Sequence, residues 1–129
     1  MNNAQWKEIK NFNRRQFSCP HCGIEKMKFP LVLILDDMAE KLNFNLKIRC
    51  AYICPTYYQN AKNLPHITHT TGEAVDIEVT SDYQRAKIIS YLIHELNIIR
   101  LGIGYDFIHI DIGKNSPNPR IWYLKYACE

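Results

Sequence analysis

No stretch of the 129 residues approaches the ~20 consecutive apolar residues of a membrane-spanning helix. The opening residues, Met1-Asn2-Asn3-Ala4-Gln5-Trp6-Lys7-Glu8, lack the apolar run of a secretory signal. A chain made in the cytoplasm, with no membrane span, is therefore expected. Charge of one sign is also missing: 16 Lys and Arg stand against 13 Asp and Glu, and the basic residues are scattered. That argues against a dedicated nucleic-acid surface, while a net charge of +3 suits a weakly anionic polymer. Repeats, low-complexity tracts and linkers are absent, so a single domain over residues 1–129 is expected. At 47% hydrophobic residues it has enough apolar mass for a core. His94-Glu95 has no second histidine four residues on, so the H-E-x-x-H zinc-protease motif is missing too.

Cysteine, by contrast, is plentiful. Cys19-Pro20-His21-Cys22 forms a C-x-x-C, Cys50 and Cys54 are four apart, and Cys128 lies near the C-terminus. An odd count without a signal argues against a full disulfide framework. Three readings compete: buried free thiols, a structural zinc site on Cys19, Cys22, Cys50 and Cys54, and a thiol–disulfide oxidoreductase through Cys19 and Cys22. The last needs the first thiol at a helix N-terminus and a strand just before it. Asn11 to Ser18 makes a poor buried strand.

Periodicity gives a coarse architecture. The segment to Cys22 is polar and irregular, anchored by Phe12 and Phe17. Pro30 opens a helix with Leu31, Leu35, Met38, Ala39 and Leu42 at helical spacing. Asn43 to Ile48 alternates as a strand, and Ala51 to Thr68 has no period and is expected to be a long functional loop. Tyr52, Tyr57 and Tyr58 in that loop are candidate cleft walls. Glu73 to Val79 alternates with Val75, Ile77 and Val79 on one face and Ala74, Asp76 and Glu78 on the other. Ser81-Asp82-Tyr83-Gln84 has the form of a capping box, starting a helix with Ala86, Ile89, Ile93 and Leu96 on one face. Leu101 to Gly104 pairs with Phe107 to Ile112, and a last short strand runs from Ile121 to Leu124. The fold class is α+β, a largely antiparallel sheet with two main helices.

The chemistry concentrates in His69-x-x-Gly72-x-Ala74-x-Asp76 and in Phe107-Ile108-His109-Ile110-Asp111. Alternation sets Asp76 and His109 opposite their apolar neighbours, and Gly72 permits the turn that folds His69 over the same face. Two imidazoles and one carboxylate are a ligand set for a single catalytic Zn2+, leaving a fourth position for water. A general base belongs beside it, and two acids compete: Asp106, three residues before His109, and Asp111, two residues after it. Asp106 is slightly preferred, with Asp111 orienting a ligand.

These motifs, together with Phe17-Ser18-Cys19, Cys54-Pro55-x-Tyr57, Gly102-Ile103-Gly104-Tyr105 and Arg120-x-Trp122, resemble the D-alanyl-D-alanine carboxypeptidase-like zinc peptidases. The resemblance spans Phe12 to Trp122. It implies the fold shared with the hedgehog signalling domain, His69, Asp76 and His109 as zinc ligands, peptidoglycan peptides as substrate, and a hydrolase of the D,D-carboxypeptidase or endopeptidase type. It also implies action at the cell wall, and the chain is expected to be a monomer. One departure is informative. Ile53 stands where the family carries a carboxylate-gripping arginine, and Cys50 falls near its serine. Arg49 offers the charge in another register, and His66 in the loop is a second candidate substrate contact. Arginine's planar fork is hard to replace, so an endopeptidase reaction, or a non-catalytic domain binding zinc or cell-wall peptide, becomes the alternative expectation.

Overall fold

Five short strands whose apolar residues alternate give a sheet with one wholly apolar face. The computed structural model describes residues 1–60, 67–98, 100–114 and 118–127. The strands are β1 (Ile48–Cys50), β2 (Ala74–Glu78), β3 (Arg100–Ile103), β4 (Phe107–Asp111) and β5 (Arg120–Tyr123), in the order β1-β2-β4-β3-β5. Every neighbouring pair is antiparallel except β3 and β5, which run parallel. The helices are α1 (Asn3–Glu8), α2 (Phe29–Leu42), α3 (Pro55–Asn60) and α4 (Asp82–Ser90), the last continuing through Glu95 as a π turn. The mostly antiparallel α+β class is thus observed, with more helices than the sequence pattern indicates. No helix among the described residues is long and apolar enough to cross a membrane.

The core lies between the apolar sheet face and α2 and α4. Val75, Ile77, Leu101, Ile108 and Ile110 meet Leu31, Val32, Leu35 and Met38 of α2 and Ile88 and Leu92 of α4. Proline in its first turn starts α2, and Asn43, at φ 54°, ends it in the left-handed conformation. Asp36 on α2 is buried and accepts hydrogen bonds from the backbone of Lys10 and Asn11. That clamps the N-terminal segment, whose Phe12 and Phe17 are buried as anchors.

Four expectations change. Asn43 to Ile48 is not a strand; pairing begins only at Ile48, where β1 meets β2 with an irregular register. Alternation there shows which side chains are apolar but supplies no partner, and only pairing makes a strand. The stretch after Ala51 contains α3 and a 3-10 segment, Ile67–Thr71, while residues 61–66 lie outside the described set. On α4 and its π turn the buried residues are Ile88 and Leu92, with Ile89, Ile93 and Leu96 partly buried against the core and Ala86 exposed, because the helix packs with its Ile88–Leu92 edge inward. Ser81 caps α4 by accepting from Gln84 N–H, but Gln84 Oε1 accepts from Thr80 N–H, so the box closes on the preceding residue.

Two positions test this packing. Gly72 sits at φ +73°, and a Cβ there would meet the Lys26 carbonyl and, at 2.9 Å, Met27 Cα. Gly72→Ala is expected to destabilise the fold by roughly 1–3 kcal/mol or more, read as a lower urea midpoint. Glu25 has a buried carboxylate that accepts from Met27 N–H at 2.6 Å and Trp6 Nε1–H at 2.9 Å. Burial pushes its pKa up, but these bonds prevail and hold it below the ordinary value. Its contribution is therefore present above about pH 4.3 and lost as pH falls through the lowered folded value. Glu25→Gln is expected to lower stability at pH 7, with the gap to the parent protein narrowing below about pH 4 in denaturation curves.

Candidate metal centre

The second face of the sheet carries charge. Cross-strand register sets Asp76 opposite His109 and Ala74 opposite Asp111, while Gly102 of β3 lies opposite His109 on its other side. β2 is consequently buried on both faces, which strict alternation with a solvated polar side does not anticipate. The 3-10 segment Ile67–Thr71 covers this face and buries Thr68 and His69. It is tied down by Ile53 N–H donating to His69 C=O and Glu73 N–H to Thr68 C=O.

His69, Asp76 and His109 come together as the sequence pattern requires. His109 Nδ1 lies 2.8 Å from Asp76 Oδ1, and His69 Nε2 lies 3.4 Å from the same oxygen. His69 Nδ1–H donates to Ala51 C=O at 2.8 Å, which fixes the ring and turns Nε2 toward Asp76. Among the described residues, His69 Nε2 is the one buried side-chain nitrogen or oxygen with no hydrogen-bond partner. A buried nitrogen left without a partner costs free energy unless something binds it. His109 Nε2 faces Asp111 Oδ2 at 3.2 Å. With carboxylates at both nitrogens the ring is an imidazolium, or else a cation replaces the proton at Nδ1 and Nε2–H donates to Asp111. The second arrangement is the carboxylate–histidine–metal relay. The donor set fits a divalent metal on both counts, and these residues could hold one.

Burial pushes the Asp76 carboxyl up, but the adjacent His69 and the hydrogen bond from His109 hold it well below the ordinary range. Asp111 is likewise depressed against burial, by His109, Arg100, Gly113 N–H and Thr68. The His109 pKa is lowered by burial, yet its contacts with Asp111 and Asp76 raise it overall. Each shift has the sign of a group compensated by a charged neighbour.

The remaining candidates are placed less centrally. Asp106 sits exposed in the β3–β4 turn, paired with Arg49 at 2.7 Å, about 10 Å along the chain from His109 at strand spacing. The Arg49 guanidinium also lies 6.0 Å from the Phe107 ring, so the Arg49–Asp106 pair rims one end of the charged face. A cavity lined by Ser81, Arg85, Tyr105, Asp106 and Tyr123 opens beside that acid, not over the histidines. His66 lies outside the described residues, as does Cys128. Tyr52 is buried, and Tyr57 and Tyr58 pack beside Cys50 and Ile53. His94 is exposed on the π turn.

Cys50 is the main correction to the cysteine readings. Its sulfur is 3.9 Å from His69 Nδ1, on the charged face, and is disulfide-bonded. It therefore neither joins Cys19, Cys22 and Cys54 nor serves as a thiolate beside His69 and Asp76. Those three cysteines are free and do come together. Cys19 to Cys22 is a turn with a 3-10 segment before it and no helix until Phe29, so the helix N-terminus that thiol redox chemistry needs is not there.

Sequence reasoning overlooked Thr68, Arg100 and the Ala51 carbonyl. Thr68 Oγ1–H donates to Asp111 Oδ2 at 2.8 Å, and Arg100 reaches the same oxygen at 3.3 Å. The available signal was register, since Arg100 lies two residues from Gly102 and shares its face. Trp122 completes the wall, 5.6 Å from His109 and beneath the Arg120 guanidinium at 4.5 Å.

No protein-family model, curated protein or solved structure matches this chain. The site is therefore read from its own geometry. A Cβ on Gly102 would meet the Leu124 side chain and, at 2.9 Å, His109 Cβ. Gly102→Ala is expected to cost roughly 1–3 kcal/mol by overpacking and to change the fluorescence of Trp122. An unchanged spectrum would show that the His109–Trp122 contact does not depend on this glycine.

Proposed function

We propose that this chain is a zinc-dependent peptidase of the D-alanyl-D-alanine carboxypeptidase-like kind, with the hedgehog-type fold, acting on peptidoglycan peptides at the cell wall. The observation that carries the reading is the approach of His69 Nε2 and His109 Nδ1 to one oxygen of Asp76 on a buried sheet face. These are the ligands that the two resembling motifs specify. Zinc held there supplies a Lewis acid that polarises a peptide carbonyl and acidifies a water.

The chain's own residues then divide the work. Ala51 C=O fixes the His69 ring, and Asp111 holds Nε2 of His109. Asp111 is itself anchored by Thr68, Arg100 and Gly113 N–H, which suits an orienting acid and leaves it a weak proton acceptor. The base is Asp106, exposed on the turn that leads into His109, once released from Arg49. The Arg49 guanidinium stands at the same rim, beside Asp106 and the Phe107 ring, where substrate would meet it. Ile53, fully buried, leaves no cation at the family's arginine position. An internal peptide bond is accordingly favoured over a free terminal carboxylate.

A second reading, a non-catalytic domain binding zinc or cell-wall peptide, is favoured by one observation. His69, Asp76 and His109 are at most 1% exposed, as in closed structural sites. Incubating the zinc-loaded protein with purified muropeptides separates the two: cleaved products are expected, and binding without cleavage supports the second. His69→Ala should lose the ion held at this centre, and unchanged metal content would remove His69 from the ligand set. Asp106→Asn should lower turnover by roughly two to four orders of magnitude with zinc retained. Asp111→Asn should weaken zinc affinity roughly ten- to a hundredfold. An inactive, zinc-loaded Asp111→Asn beside a near-normal Asp106→Asn would reverse the two roles.

A further inference from the structure

We infer that Cys19, His21, Cys22 and Cys54 form a second metal site, a structural zinc centre that staples the N-terminal segment to the start of α3. The ligand atoms of the three cysteines lie within 4.8 Å of one another. Sulfurs around one zinc are roughly 3.8 Å apart, given a Zn–S distance of about 2.3 Å and tetrahedral geometry. Only a small contraction is needed. The fourth ligand is His21, whose Nδ1 lies 3.3 Å from Cys54 Sγ. Its place inside the C-x-x-C turn brings it to the cluster without another element.

The backbone is arranged for thiolates. His21 N–H and Cys54 N–H point at Cys19 Sγ at 3.4 and 3.3 Å, and Tyr57 N–H points at Cys54 Sγ at 3.4 Å. Three amide donors on two sulfurs stabilise negative charge there. The turn is closed by Gly23 N–H donating to Cys19 C=O at 2.8 Å, with Gly23 at φ +75°. Cys19 and Cys54 are buried, while Cys22 and His21 lie at the surface where an ion can enter. The residues joined are 35 apart in sequence, so a metal here closes a long loop. This site offers free thiols, while the Cys50 sulfur beside His69 is held in a disulfide, so the two centres are spectroscopically separable while that bond is intact.

The test uses the full chain, metal-free and with the Cys50 disulfide intact, titrated anaerobically with Co2+ alone. The parent protein is expected to develop an intense near-ultraviolet thiolate-to-cobalt charge-transfer band. His69→Ala should keep that band, whereas Cys22→Ser, a conservative change at an exposed position, should lose it. His21→Ala should keep a sulfur band with Co2+ affinity at least tenfold lower. With zinc, removal by a chelator should lower the melting temperature of His69→Ala, which lacks the first centre, and leave the double variant His69→Ala, Cys22→Ser unmoved. Absence of the band in the parent protein overturns the proposal, as does its survival in Cys22→Ser. Unchanged affinity in His21→Ala overturns the four-ligand site. Reversible Cys19–Cys22 disulfide turnover in an insulin-reduction assay, with no cobalt bound, would overturn it in favour of thiol redox chemistry. Failure of the peptidase reading leaves every one of these outcomes readable, because none uses peptidase activity.

Discussion

His69, Asp76, His109 and Asp111 are all at most 2% exposed on one face of the sheet. An unpaired charge at such a position costs several kcal/mol, and a half-satisfied network is worse than an apolar one. The arrangement persists because each group answers another. Asp76 sits between two imidazoles, and His109 between two carboxylates. Asp111 is held by a hydroxyl, a guanidinium and a backbone N–H. The one residual deficit falls on His69 Nε2, at the point where the ligand atoms face each other.

Much of the surrounding structure follows from keeping that face covered. Gly72 lets the chain turn tightly against Lys26 and Met27, and its carbonyl accepts from Lys28 N–H. Gly102 leaves room for the His109 ring to approach Trp122. The opposite face needs no such devices, because Val75, Ile77, Ile108 and Ile110 bury against α2 and α4 without polar groups to satisfy.

The short run from Ala51 to Cys54 links the two proposed centres. The Ala51 carbonyl holds His69, Ile53 N–H donates to the His69 carbonyl, and Cys54 belongs to the cysteine cluster. Tyr52 N–H, donating to Phe17 C=O, ties the same run to the N-terminal segment. A metal held by the cysteines would therefore fix the backbone that orients His69. This gives the cysteines a structural bearing on the site through one main-chain path.

Local pattern was sufficient for the elements whose partners lie close in sequence or whose period is strong. α2 was legible from its apolar spacing and its proline, β2 and β4 from alternation, Asp76 and His109 on one face from strand parity, and His69 over that face from the turn at Gly72. Parity puts Asp111 on the face of His109 and Asp106 at the turn, but local pattern does not say which of the two serves as base. Tertiary placement separates them, pairing one with Arg49 at an exposed turn and fastening the other beneath His109. The cysteines show the same division. Spacing alone grouped Cys50 with Cys54, yet Cys50 lies on the charged face of β1 while Cys54 opens toward α3 and His21. Sequence determined which side chains could serve as ligands. Contacts between segments 33 or more residues apart decided which of them meet, since a strand's partner and register are properties of the assembled sheet and not of any one strand.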